Sequence, residues 1–101
     1  MASYTTIANW QDVEGGYVVD VTIRKTEDVT YPSGWKYSLH FGEVGGDTVL
    51  RYDNAHEDTK GHERHTRNDI EIVEFPGMVA LYDRFKREVE EQSPVTWDWS
   101  E

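Results

Sequence analysis

The chain has 101 residues, enough for one small domain and little more. It has no cysteine, which excludes disulfides and thiolate-bound metal clusters, and no apolar run near the ~20 residues that span a bilayer. Twenty acidic against ten basic residues give a net charge of −10, which opposes nucleic acid as a partner unless a local patch is basic. Such an acidic surface suits a salt-adapted, halophilic source, where salt screens long-range repulsion. Met1 to Trp10 has neither a basic region nor an apolar core, so a cytoplasmic protein without a signal peptide is expected.

In chain order, Tyr4 to Trp10 reads as a strand leading to a turn at Gly15-Gly16. Tyr17, Val19, Val21 and Ile23 then alternate with Asp20, Thr22 and Arg24, the pattern of a half-buried strand. Lys25 to Gly34 is a polar loop. Trp35, Tyr37, Leu39 and Phe41 alternate against Lys36, Ser38, His40 and Gly42, giving the clearest strand in the chain. His40 reads as a solvated residue on its outer face. Gly45-Gly46-Asp47 is a hairpin turn, and Thr48 to Asp53 returns as a strand. Connections this short allow only antiparallel pairing.

Ala55 to Asp69 holds no apolar residue beyond Ala55 and reads as a polar loop or extended connection. Ile70 to Phe75 is a further short strand, and Pro76 sits where a helix can begin. Met78, Leu81, Tyr82, Phe85 and Val89 follow at helical spacing, a stripe that should lie across the sheet. The expected fold is α+β: an antiparallel sheet of about four to five strands covered by one C-terminal amphipathic helix. Residues 1–92 form the domain, and 93–101 a tail containing Trp97 and Trp99. Those two rings either cap the core or anchor another chain.

The stretch that carries chemistry is Arg51 to His65. Metal-independent RNA cleavage needs a base for the 2′-hydroxyl proton, an acid for the leaving 5′-oxygen and cations for the phosphate. Tyr52, His62 and His65 offer the first two, and Lys60 and Arg64 the third. From Lys60 to Arg67, three cations (Lys60, Arg64, Arg67) stand against Glu63, a local charge of +2 in an acidic chain. A solvated polar loop explains the same composition. Asp53 and Asn54 at a strand end equally suit turn-closing hydrogen bonds. His56, His62 and His65 with Asp58 or Glu63 could hold zinc, but the spacing fits no zinc pattern, and on a strand His62 and His65 would face opposite ways.

These features, taken together, resemble the TumE-like toxin family of type II toxin–antitoxin systems. The resemblance rests on Val18 to Ile23, Trp35 to Gly42, Arg51-Tyr52-Asp53-Asn54, Lys60-Gly61-His62-Glu63-Arg64-His65 and the C-terminal helix, from about Gly15 to Glu91. It implies a small toxin that is neutralised by a helix-turn-helix antitoxin and arrests growth by cleaving RNA; the residue types above suit an endoribonuclease without a metal or other cofactor. The resemblance picks out Tyr52, Asp53, Asn54, Lys60, Gly61, His62, Arg64 and His65; of these Tyr52, His62, Arg64 and His65 are expected to be catalytic, and Lys60 and Asn54, with Arg67 just beyond the motif, to bind substrate. Asp53 and Gly61 are structural parts of the motif. The chain departs from the family pattern in the acidic residues Glu57-Asp58 and in the Trp-containing tail. A non-catalytic module acting through a partner protein is the alternative, and the Tyr4 to Trp10 edge could pair two copies into a homodimer.

Overall fold

A computed structural model describes residues 3–99; Met1, Ala2, Ser100 and Glu101, the outermost residues of the N-terminal segment and the Trp tail, lie outside it. The strands are β1 (Tyr4–Glu14), β2 (Tyr17–Thr26), β3 (Trp35–Glu43), β4 (Thr48–Asp53), β5 (His62–Thr66) and β6 (Ile70–Val73). A one-turn helix α1 (Glu57–Lys60) joins β4 to β5, and α2 (Met78–Gln92) follows β6. All six strands form one antiparallel sheet in chain order. This corrects the expected four to five strands. It also extends the first strand to Glu14 and resolves the polar loop or extended connection of 55–69 into α1 and the strand β5.

Each connection between β1 and β4 is a tight turn or short loop. Gly15 and Gly16 both have positive φ, 56° and 84°, as a two-residue hairpin turn of matching twist requires. Only strands adjacent in sequence can then be adjacent in space, which explains the chain-order meander.

One face of the sheet is apolar. Val19, Val21 and Ile23 of β2, Tyr37, Leu39 and Phe41 of β3, and Leu50 and Tyr52 of β4 meet Met78, Leu81, Phe85 and Val89 of α2. Burying each aliphatic or aromatic side chain in this layer contributes about 1.5–3 kcal/mol. The tail closes the layer. Trp97 is buried with its ring 6.3 Å from Phe41, and its Nε1 donates to Ser93 Oγ at 2.9 Å. Trp99 lies edge-on to Trp10, Tyr82 and Phe85. Both tail rings therefore cap this chain's own core. Among the described residues the opposite face carries no helix; it is polar along β3 to β5, and β6 adds the exposed Ile70 and Ile72. No helix among the described residues is long and apolar enough to cross a membrane.

β5 escapes a hydropathy reading because it lies next to the short edge strand β6. All five of its residues are polar or charged, although His62 packs on the rings of Phe75 and Tyr37, so no apolar alternation marks it. Its ladder is nonetheless regular: Asp53 pairs with Glu63, Tyr52 with Arg64, and Arg51 with His65.

Candidate functional site

Alternation along β4 and β5 sorts the motif residues onto two faces. Tyr52, His62 and Arg64 lie on the face that α2 covers. Arg51, Asp53, Glu63 and His65 lie on the open face.

Under α2, Tyr52 is fully buried and its hydroxyl donates to Glu88 Oε1. Arg64 donates from Nε to the Tyr52 hydroxyl at 3.0 Å and from Nη2 to Glu88 Oε2 at 2.6 Å. Burial, and then the bond to Glu88, pushes the Tyr52 phenol up to about 12. Its proton is therefore held at neutral pH, where the group is a donor rather than a base. Its own bond to Glu88 raises the Arg64 pKa. The trio ties helix to sheet.

His62 is also buried, its ring stacked 4.5 Å from Phe75 and 5.7 Å from Tyr37. Its Nδ1 lies 2.7 Å from the Tyr37 hydroxyl, and its Nε2 3.7 Å from Glu57 Oε2. Burial lowers the His62 pKa against the opposing pull of Glu57. Burial also raises the Tyr37 phenol, so that hydroxyl stays protonated beside the ring.

Glu57 and Asn54 hold the loops beside this ring. Glu57 accepts from Ser33 N and Ser33 Oγ, both at 2.7 Å, and from Asn54 Nδ2 at 2.8 Å. Asn54, with no exposed surface, accepts from Tyr37 N at 2.9 Å and donates to the Trp35 carbonyl at 2.6 Å. Its amide thus extends the β3 ladder beyond the end of β4. Gly61, at φ 73°, turns the chain from α1 into β5. Lys60 and His56 are exposed at the two ends of α1.

The open face presents a different constellation. His65 Nε2 lies 3.2 Å from Glu63 Oε1 and 3.3 Å from Asp53 Oδ2. Arg51 donates from Nε to the same Asp53 oxygen at 2.8 Å. Asp53 is buried, and its Oδ1 accepts from the backbone of Ala55 at 3.3 Å. His40, cross-strand from Arg51, lies with Nε2 3.0 Å from Thr48 Oγ1. Burial and then the Arg51 charge lower its pKa.

Two hollows flank Arg51. One, of about 350 Å³, is lined by Thr22, Arg24, Lys36, Ser38 and Asp53 among others. The other, of about 560 Å³, lies between His65 and the β5–β6 turn at Arg67, Asn68 and Asp69. Arg67 reaches Glu43 at 3.4 Å across that turn. Among the described residues, no carboxylate pairs with Arg24 or Lys36 (within 4.0 Å); Lys36 lies over the rings of Tyr4 and Tyr31. The Arg24 Nε is buried without a hydrogen-bond partner.

The four residues expected to act together are therefore divided. His65 faces outward, whereas Tyr52, His62 and Arg64 pack inward. His56, His62 and His65 stand at three separate places, so they do not converge on one metal. Sequence reasoning assigned no site role to Arg24 and Lys36 on the open face or to Tyr37, Glu57 and Glu88 behind the motif; it named Arg51 only as part of the motif and Glu63 only as a possible zinc ligand. The i, i+2 spacings of Arg51 with Asp53 and of Glu63 with His65 carried the signal. They become visible once 62–66 is read as a strand.

A family model described as Toxin TumE matches residues 8–93. No curated protein and no solved structure matches the chain. The matched span runs from β1 through the whole of α2 and contains both faces of the β4–β5 ladder. Such a toxin has an antitoxin as its partner. With most of its length inside the match, the chain belongs to the TumE toxin family.

Proposed function

We propose that this toxin is a metal-independent endoribonuclease of the cytoplasm and that it cleaves RNA on the open face of its sheet. The observation that carries the reading is the meeting of Arg51, Asp53, Glu63 and His65 on that face, His65 Nε2 being within 3.3 Å of both carboxylates. A carboxylate, an imidazole and a guanidinium are the three groups that phosphodiester transesterification uses.

Glu63 serves as the base. Among the described residues its carboxylate is bonded only to His65, whereas Asp53 is engaged by Arg51 and Ala55. Glu63 takes the proton of the 2′-hydroxyl, and the 2′-oxygen bonds to phosphorus. The bond from phosphorus to the 5′-oxygen breaks, and protonated His65 gives that oxygen its proton. A 2′,3′-cyclic phosphate and a free 5′-hydroxyl result. Arg51, whose side chain is 42% exposed, turns to the non-bridging oxygens as charge builds. Arg24 and Lys36 hold the adjoining phosphates in the neighbouring hollow. The attraction is local, which lets an acidic protein bind RNA.

In this reading Tyr52, Arg64 and His62 keep β4 and β5 in register behind the site, and Asn54 holds the end of β4. Lys60 and Arg67 are outlying contacts for the strand of RNA. The antitoxin is a helix-turn-helix protein, as the family resemblance implies. A purely partner-binding role through Trp97 and Trp99 has less support, since both rings pack on this chain's own core.

The test is to express the chain alone, with its antitoxin and as His65→Ala, and to follow growth and RNA integrity. Growth arrest with RNA decay, relieved by the antitoxin and by the substitution and not abolished by a chelator, supports the reading. Intact RNA during arrest overturns it.

A further inference from the structure

We propose that Asp53, Glu63 and His65 form a three-ligand site for zinc on the open face of the sheet. One donor atom from each of these side chains lies within 4.8 Å of the other two. His65 Nε2 is 3.2 Å from Glu63 Oε1 and 3.3 Å from Asp53 Oδ2. Zinc bonds of about 2.0–2.2 Å to nitrogen and oxygen, opened to a tetrahedral angle, put neighbouring donors about 3.3 Å apart. Both distances from His65 already match that spacing, and the two carboxylates lie within 4.8 Å of each other, with no change of strand register.

The sheet explains why they do. Asp53 and Glu63 are cross-strand partners, and His65 follows Glu63 by two residues on the same face. Asp53 is buried, and the side chains of Glu63 and His65 are only 17% and 20% exposed, so the ligands are held rather than loose on the surface. The hollow of about 560 Å³ beside His65 leaves room for a water as fourth ligand. An imidazole with only two carboxylates suits zinc better than calcium or magnesium, which favour more oxygen ligands or retained water.

One contact opposes the cation: Arg51 Nε donates to Asp53 Oδ2 at 2.8 Å. The arginine is partly exposed and can turn toward solvent as zinc takes that oxygen. A metal there also occupies the His65 lone pair. Zinc binding and acid–base use of this imidazole therefore exclude one another. The site does not rest on the ribonuclease reading, because its binding is measured without RNA.

The experiment is calorimetric titration of the intact chain with zinc, paired with the visible spectrum of the cobalt-substituted protein. One zinc per chain and tetrahedral cobalt bands are expected. His65→Gln and Glu63→Gln should each weaken binding at least tenfold and abolish the bands. Circular dichroism checks the fold of each, and Glu63→Gln preserves side-chain shape. His56→Gln, at an exposed position on the far side of Gly61, should leave both readouts unchanged. Absence of stoichiometric binding, or equal binding by the wild type and both ligand variants, would overturn the site and leave only adventitious surface carboxylates.

Discussion

Arg64 on β5 reaches Glu88 on α2 at 2.6 Å, with the Tyr52 hydroxyl bonded to both. The side chains of Arg64 and Glu88 are no more than 20% exposed, so the pair is poorly screened by water. Two elements far apart in sequence are clamped by one polar bridge over an otherwise apolar layer. Glu88→Gln should lower stability by roughly 2 kcal/mol in urea unfolding, because the Arg64 charge is left without its partner. Tyr52→Phe should cost about 1 kcal/mol and retain toxicity. A Tyr52→Phe protein that is fully stable but non-toxic would instead give the phenol a chemical role.

Asn54→Ala removes an amide that serves Tyr37 N, the Trp35 carbonyl and Glu57 at once. Two backbone groups lose their partners inside the fold. Unfolding free energy should fall by about 3 kcal/mol, measured as a drop in the urea midpoint. A change below about 0.5 kcal/mol, the size of an ordinary surface substitution, would mean that other groups take over these bonds.

The buried imidazoles set a pH dependence. His62 and His40 both titrate below the ordinary 6.5 in the folded chain, in each case chiefly through burial. The unfolded chain therefore binds more protons between the folded values and 6.5. Their contribution to stability is complete above pH 6.5 and is lost as pH falls through the folded values. Thermal midpoints measured from pH 7.5 down to 5 should decline, and His62→Gln should decline less steeply than the wild type. Parallel curves would show that His62 does not contribute to the dependence.

On the open face, Glu63→Gln should remove toxicity as His65→Ala does, with the circular dichroism spectrum preserved. Neither side chain touches the core. His56→Ala, exposed on α1, should remain toxic in the same growth assay. Toxicity retained by both open-face variants would remove this cluster from the mechanism.

Arg24→Ala and Lys36→Ala should each weaken RNA binding and reduce the slope of log affinity against log salt by about 0.7, the effect of one phosphate contact on a single strand. Lys86→Ala serves as the control, since Lys86 lies on α2, on the far side of the sheet. An unchanged slope for both groove variants would place the RNA elsewhere.

The residues themselves announced β2, β3, β4 and α2. Alternation from Tyr17 to Ile23 and from Trp35 to Phe41, and the three-and-four spacing from Met78 to Val89, follow from burying one face of each element. The motif Tyr52-Asp53-Asn54 with Lys60 to His65 was likewise enough to point to the TumE toxins, since a family is legible in residue types and order. Three things had to wait for the tertiary structure. β5 is polar on both faces and has no hydropathy signature, so only its pairing with β4 and β6 identifies it as a strand. That pairing, with its period of two, then sends His62 and Arg64 inward and Glu63 and His65 outward. Finally, Glu57, Glu88 and Asn54 acquire their roles from partners up to 36 residues away in sequence, and spacing along the chain carries no trace of such contacts. Sequence determined the kind of protein and the short list of reactive side chains. Strand register decided which of them share a face, because a single-residue step along a strand reverses the direction of every side chain.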